Sequence, residues 1–390
     1  MGKKLRIIYP HQVYPKISGS VLRSLNMAKL IADRFDNISI YAVDENVKYS
    51  DKIDGINIIQ DLKFNGSLDR LKYNIDGIAS KNFCLKVSPA AMDDKNAVYQ
   101  IEDPYLYNAI KNNHIDRYIL NEHNVYWEMF NFPAYTLKQK VYNRLSSGRD
   151  IKIEKQALSN ASHIFVCSSR DKQLLTSELP GIKDNITVIP NCLNYQEYAD
   201  YTKKNSGNNN GNEHDTATMT VLFMGLLSYA PNADAVYSIC HDIAPKFDNK
   251  VKFVIVGRDP PAVDKQPDNV IFSGYVEDIK RYVMEADICI APLKFGSGTR
   301  FKILEYMAMG KPVIATSKGA EGIEYTDGVN IVIEDDITRF HEKITDLLGD
   351  ANKVKLLGKN ASDLIREKYD WGSYRKILGD VYKKVFDEAN

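Results

Sequence analysis

Very little in this sequence is in excess. It has only five cysteines in 390 residues, Cys84, Cys167, Cys192, Cys240 and Cys289. They form no C-x-x-C pair and their number is odd, so neither a disulfide framework nor a zinc spacing is supported. Cys167 and Cys289 lie inside the apolar runs "HIFVCSS" and "ADICIAP", as buried thiols do in a reducing compartment. Charge of one sign is also missing: Lys+Arg and Asp+Glu balance at 51 each. That removes the global basic field of a nucleic-acid binder, and no nucleic-acid partner is expected. No run approaches the roughly 20 apolar residues of a membrane span. The opening "MGKKLRIIYPHQVYP" reads as a first strand rather than a signal peptide. A G-x-x-x-x-G-K-[ST] phosphate loop is absent as well.

What is present is alternation. In the first half, "LRIIYP", "NISIYAV", "NAVYQIE", "RYILNEH" and "HIFVCSS" are short Val/Ile-rich runs separated by helix-like segments. "SGSVLRSLNMAKLIADRF" is one such segment, opening at Ser18 to Ser20. In the second half, "TVLFMGLL", "KVKFVIVGR", "NVIFSGYV", "ADICIAPL", "KPVIATSK" and "NIVIEDD" repeat the pattern. Such runs predict parallel sheets covered on both faces. Between the halves, "KKNSGNNNGNEHDTATM" is Asn- and Gly-rich with no apolar period and reads as a linker. The predicted organisation is therefore an α/β chain of two Rossmann-like domains. They comprise residues 1–202 and 220–370, joined by a flexible linker at 203–219 and followed by an amphipathic helix at 371–390.

Ligands of such sheets bind beyond the carboxyl ends of strands. One strand end leads into "FGSGTRFKILEYMAMGKPV", a glycine turn followed by a helix. Gly296 and Gly298 permit a tight turn, and Thr299 is the expected N-cap. Arg300 and Lys302 stand at the end of the helix where the macrodipole disfavours cations. A bound diphosphate at the backbone N–H groups would offset that cost. Glu305, one turn on, has acceptor sites for two vicinal hydroxyls such as those of a ribose. Together these residues describe a nucleoside-diphosphate site. The bland alternative is a Lys302–Glu305 pair with Arg300 solvated. "GSGTRF" has Phe301 where a dinucleotide fingerprint needs its last glycine.

These residues resemble the retaining GT-B glycosyltransferases of the group 1 type, glycosyltransferase family 4. The block "PLKFGSGTRFKILEYMAMGKPVIATSKGAEGI" is similar to that family's signature, in its "GSGTR-x-K" form. "VIPNCLNYQEY" resembles its domain-closing segment. "FMGLLSYAPNADAV" resembles the first βα turn of its second domain, at Gly225. "GYVEDIKRYVMEADICIAPL" resembles the segment that cradles the base, with Tyr275 and Val276. Two departures stand out. The first Glu of the family's E-x7-E motif falls at Ser297. The Arg and Lys usual after Gly225 are missing up to Val236, which points to Arg300 and Lys302 as their substitutes.

The resemblance implies two domains facing each other across a cleft, with the C-terminal helix packing back on the first. It implies a nucleotide-diphosphate sugar donor, UDP- or GDP-linked, bound by Gly19, Gly225, Tyr275, Val276, Ser297, Gly298, Thr299 and Glu305. His123, in "YILNEHNVYW", with Arg300 and Lys302, would be catalytic; Arg23, Glu102 and Asn124 would meet the acceptor. "YPKISGSVLRSLNMAKL" resembles the family's first-strand loop, which places Gly19 and Arg23. Turn or surface roles for Glu102 and Arg23 are equally open. No strand-ending D-x-D is present, so neither a metal nor a cofactor is expected. A hexose would pass to a glycan, glycolipid or lipid-linked acceptor with retention, the departing phosphate taking the proton. A nucleotide-sugar epimerase and a non-catalytic partner subunit are the competing readings. A cytoplasmic protein is expected. Residues 136–156, with six basic against two acidic residues, suit either a solvated helix face or peripheral contact with an anionic membrane surface.

Overall fold

The computed structural model describes residues 3–14, 19–43, 48–64, 85–86, 97–129, 137–206, 218–296 and 298–387. The chain divides into two compact units: Met1–Pro190 with Tyr374–Asn390, and Asn191–Ser373. Each is an α/β unit around its own sheet.

The first unit holds β1 (Lys4–Tyr9), β2 (Asn37–Val43), β3 (Tyr49–Ile53), β4 (Ile56–Phe64), β5 (Leu85–Lys86), β6 (Ala97–Ile101), β7 (Tyr118–Asn121), β8 (His163–Val166) and β9 (Ile186–Val188). Among the described residues their order is β3-β4-β2-β1-β6-β7-β8-β9, with β5 on β4. All pairings are parallel except β3–β4 and β4–β5. Leu5, Ile7 and Ile8 of β1 are fully buried in sequence neighbours' succession, as a strand covered on both faces requires. The β3–β4 hairpin was not anticipated. Its cue is "KIDGIN": Asp54 and Gly55 both take positive φ, 50° and 85°. That is the Asp-Gly turn whose twist matches a two-residue hairpin, and it pairs Ile53 with Ile56.

The C-terminal helix Arg375–Asp387 belongs to this first unit. It buries Leu378, Tyr382 and Val385, and the Tyr382 ring packs against Phe35 and Phe165 at centroid distances of 5.9 and 5.8 Å. The expected return of this helix to the N-terminal domain is therefore present, and its apolar stripe supplies the reason.

The second unit holds β10 (Met219–Met224), β11 (Val251–Val256), β12 (Val270–Gly274), β13 (Ile288–Ala291), β14 (Val313–Ala315) and β15 (Val332–Ile333). The order is β12-β11-β10-β13-β14-β15, all parallel. Its boundary corrects the expectation of 202. The chain changes unit after Pro190, so the helix Tyr195–Ser206 lies in the second unit. The reason is packing: Tyr198 and Leu193 join the second core, and the Tyr198 hydroxyl donates to Glu305. The incoming and outgoing segments run side by side there. Leu193 N–H donates to Tyr369 O at 2.8 Å, and Trp371 N–H donates to Leu193 O at 3.1 Å. Of the predicted linker, Lys203–Ser206 ends that helix, and 207–217 lies outside the described residues. No helix of the described residues is long and apolar enough to cross a membrane.

Candidate active site

In the second sheet, strand order reverses between β10 and β13, the place where open parallel sheets bind ligands. β10 ends at Met224 and passes directly into Gly225. β13 ends at Ala291 and passes into the glycine loop before the helix Phe301–Ala308. Topology therefore brings Gly225 and the "FGSGTR" loop to one crevice. The helix is tied to the end of β10, where Met224 N–H donates to the Tyr306 hydroxyl at 2.9 Å.

Arg300, not Thr299, is the residue at the N-cap position, and it makes no side-chain cap bond. Thr299 lies one residue further out, buried against Gly322, where a Cβ would stand 2.6 Å from its Oγ1. Asn191 also donates to the Thr299 carbonyl at 3.4 Å. The two loop glycines fold the chain round the Arg300 guanidinium. Gly298 (φ 76°) accepts a 2.7 Å bond from Arg300 Nη1, and a Cβ on Gly296 (φ 119°) would meet Nη2 at 2.5 Å. Ser297 lies outside the described residues.

Lys302 points its ammonium at the end of β10. Nζ donates to Asn232 Oδ1 at 2.7 Å and sits 4.2 Å above the Phe223 ring. It has no carboxylate partner among the described residues. Burial first, then the neighbouring Arg300 charge, push its pKa well below the ordinary lysine value. Burial also lowers that of Arg300. Two desolvated cations side by side are costly unless an anion joins them. A Cβ on Gly225 would meet Asn232 Nδ2 at 2.7 Å and Lys302 Nζ at 2.9 Å, so only glycine lets the ammonium stand there.

Glu305 follows on the same helix. Burial raises its pKa, against the opposing effects of Tyr198, Lys280 and Lys302. Oε1 accepts from the Tyr198 hydroxyl at 3.0 Å, and Lys280 caps that ring at 4.4 Å. The Lys302–Glu305 ion pair weighed from the sequence does not form. Tyr275, just beyond β12, is 73% exposed, and Val276 is half-buried against the core.

In the first sheet the order reverses between β1 and β6. Glu102 follows β6 and His123 follows β7, and the structure joins them. His123 Nε2 lies 2.8 Å from Glu102 Oε2. The same oxygen accepts from Ser24 Oγ at 2.6 Å and Asn121 Nδ2 at 2.8 Å, while Oε1 accepts from Gln100 Nε2. Burial raises the Glu102 pKa, but the His123 bond and charge, with Ser24 and Gln100, outweigh it and hold the carboxyl below its usual range. Three of the four donors converge on Oε2 and one meets Oε1, so interior partners take most of the acceptor capacity of the carboxylate. Glu102 is also only 2% exposed, so direct contact with an acceptor is corrected to an interior role. Arg23 is likewise corrected: it is wholly buried and donates from Nε to Asn121 Oδ1 at 3.2 Å. Gly19 opens the helix Gly19–Leu30, and Asn124 is half-buried beside His123.

Sequence reasoning missed Phe223, Asn232, Tyr198 and Lys280 in the second unit, and Ser24, Gln100, Asn121 and Tyr382 in the first. A polar residue inside a buried strand was the available signal for Gln100 and Asn121, since such a side chain must find a partner.

Residues 218–350 match the family model of glycosyl transferases group 1. An uncharacterized 44.6 kDa protein in the cps region of Klebsiella pneumoniae is 24% identical over 303 residues, covering 73% of this chain and 72% of that protein. An uncharacterized glycosyltransferase of Methanocaldococcus jannaschii is 24% identical over 263 residues, 64% of each chain. Among solved structures, Anabaena HepE in complex with UDP and glucose is similar at TM-score 0.67 and 15% identity, over 97% of this chain and 99% of that one. Sucrose-phosphate synthase of Thermosynechococcus elongatus is similar at TM-score 0.71 and 14% identity, over 98% and 100%. Both solved likenesses show the fold: two parallel-sheet α/β domains of the GT-B kind.

Proposed function

From a second unit that carries a group 1 glycosyltransferase domain, a transferase, we propose that this chain moves a sugar from a UDP-sugar to a hydroxyl of a glycan or lipid-linked acceptor, with retention, as a family 4 enzyme. The observation that carries this is the Arg300–Lys302 pair at the switch point of the second sheet, with Lys302 buried and without a carboxylate hydrogen-bond or ion-pair partner among the described residues. Its natural complement is a diphosphate. The UDP choice follows the UDP complexes of Anabaena HepE.

The chemistry assigned to these residues is electrostatic. Arg300 and Lys302 stabilise charge building on the departing diphosphate, aided by the N-terminus of the helix Phe301–Ala308. Glu305 keeps Oε2 for the ribose while Tyr198 occupies Oε1. Tyr275 offers an exposed ring for the base. The bond from the sugar's anomeric carbon to the diphosphate breaks, and a bond to the acceptor oxygen forms on the same face. The acceptor proton passes to the leaving phosphate oxygen, so no carboxylate base and no metal is required. Attachment of the basic 136–156 stretch to an anionic membrane surface remains part of the proposal.

The test is thermal stabilisation by UDP, GDP and ADP with and without divalent metal, followed by transfer assays with the nucleotide that binds. A metal-independent shift with UDP and turnover of a UDP-sugar are expected. Absence of any shift together with absence of turnover refutes the proposal.

A further inference from the structure

We propose, on the reading that this chain transfers a sugar, that Glu102 is a positioning residue which fixes His123 with its proton on Nε2, leaving Nδ1 as the ring atom that acts on substrate. Glu102 Oε2 lies 2.8 Å from His123 Nε2. The carboxyl is held in its ionised form by that contact together with Ser24 and Gln100. An ionised carboxylate only accepts, so Nε2 must donate. Nδ1 finds no partner among the described residues.

The carboxylate itself cannot turn to serve another ring atom. Its donors come from four separate elements: Gln100 on β6, Asn121 on β7, Ser24 on the helix Gly19–Leu30, and His123 beyond β7. Gln100 is in turn held by the Tyr382 hydroxyl of the C-terminal helix. Ser24, Gln100, Glu102, Asn121 and Tyr382 are all buried to within 2% of complete. His123 alone reaches solvent, with a tenth of its side chain exposed. A network closed on the inside and open only at its imidazole, at the carboxyl end of the sheet beside the β1/β6 reversal, orients that imidazole outward. A carboxylate behind a histidine selects its tautomer in the same way wherever the pair occurs.

Two measurements on the full chain decide this. The nitrogen NMR spectrum of 15N-histidine-labelled wild type, in alkaline buffer, should show His123 as the Nε2–H tautomer; an Nδ1–H tautomer overturns the proposal. The second is a double-variant cycle. Glu102→Gln should lower kcat about tenfold or more, with the KM for donor sugar and the UDP-induced melting shift unchanged. In a His123→Ala background the same substitution should cost nothing further, because Glu102 acts only through the ring. A full additional loss in that background overturns the role. Tyr382→Phe, which leaves every contact of Glu102 in place but frees Gln100, should give a smaller fall in kcat that likewise vanishes without His123. A wild type inert toward every UDP-sugar would refute the proposed function, and the nitrogen spectrum would still decide the tautomer.

Discussion

Replacing Lys302 by Met separates the cost of a buried charge from its use. In the free protein the ammonium is desolvated and crowded by Arg300, and among the described residues Asn232, the Phe223 ring and the charge of Glu305 stabilise it. Methionine removes the charge and keeps most of the volume. The Asn232 bond is lost and the desolvation penalty is lifted, which leaves stability within about 1 kcal/mol of wild type. The free variant should therefore melt within about 4 °C of wild type. Nucleotide binding behaves differently. A buried charge-assisted bond to phosphate is worth about 1.5–3 kcal/mol, so affinity for UDP should fall about 100-fold. At a concentration 100 times the wild-type Kd, UDP stabilises wild type by about 2.7 kcal/mol and the variant by about 0.4. For a unit of this size that is a melting shift of about 5–11 °C against about 1–2 °C. Scanning calorimetry with and without UDP reads both numbers. A variant that keeps the full UDP shift would refute the diphosphate assignment.

pH supplies an independent check on the same group. Burial and the neighbouring Arg300 charge hold the folded pKa of Lys302 well below the ordinary lysine value. Between the folded and unfolded values the unfolded chain binds more protons, so this residue makes wild-type stability rise with pH there. UDP affinity should fall across the same window as the ammonium deprotonates, in wild type but not in Lys302→Met, as isothermal titration at stepped pH would show. Gly225→Ala places a methyl against Asn232 and Lys302; it should cost about 1–3 kcal/mol in chemical denaturation and abolish the UDP shift. Tyr198→Phe removes the donor to Glu305 Oε1. It should cost about 1 kcal/mol and move the acid limb of UDP binding to higher pH, because that bond helps lower the Glu305 pKa. Glu102 has a depressed pKa, so its stabilising contribution is present above the ordinary glutamate value of the unfolded chain and is lost as pH falls through the folded value. The stability gap between wild type and Glu102→Gln should thus close on acidification below that point, measured by urea melts.

Each local element was legible because its cause is local. The apolar runs of β1, β2, β6 to β8 and β10 to β15 are all marked by composition, since a strand of a covered parallel sheet must be mostly apolar. The Asp54–Gly55 turn was equally legible and was overlooked. The chain's return to the first unit after Ser373 could be read from the amphipathic stripe of its last helix. Its entry into the second unit could not, because the Asn-rich stretch advertised a boundary where packing put none. Tyr198 and Leu193 decide that point, through contacts with residues more than a hundred positions away.

At the candidate site the sequence by itself determined the residue types and the anion chemistry. Gly296, Gly298, Arg300, Lys302 and Glu305 lie within one loop and one helix, so spacing alone relates them. Only the tertiary structure decided the partners. Sheet order brought Gly225, Phe223 and Asn232 to Lys302. It also buried Glu102 and Arg23 and linked them through Asn121. Spacing along a chain fixes what shares a helix face, whereas which strand ends meet is set by the order of strands in the sheet, and that order is chosen by the packing of the whole unit.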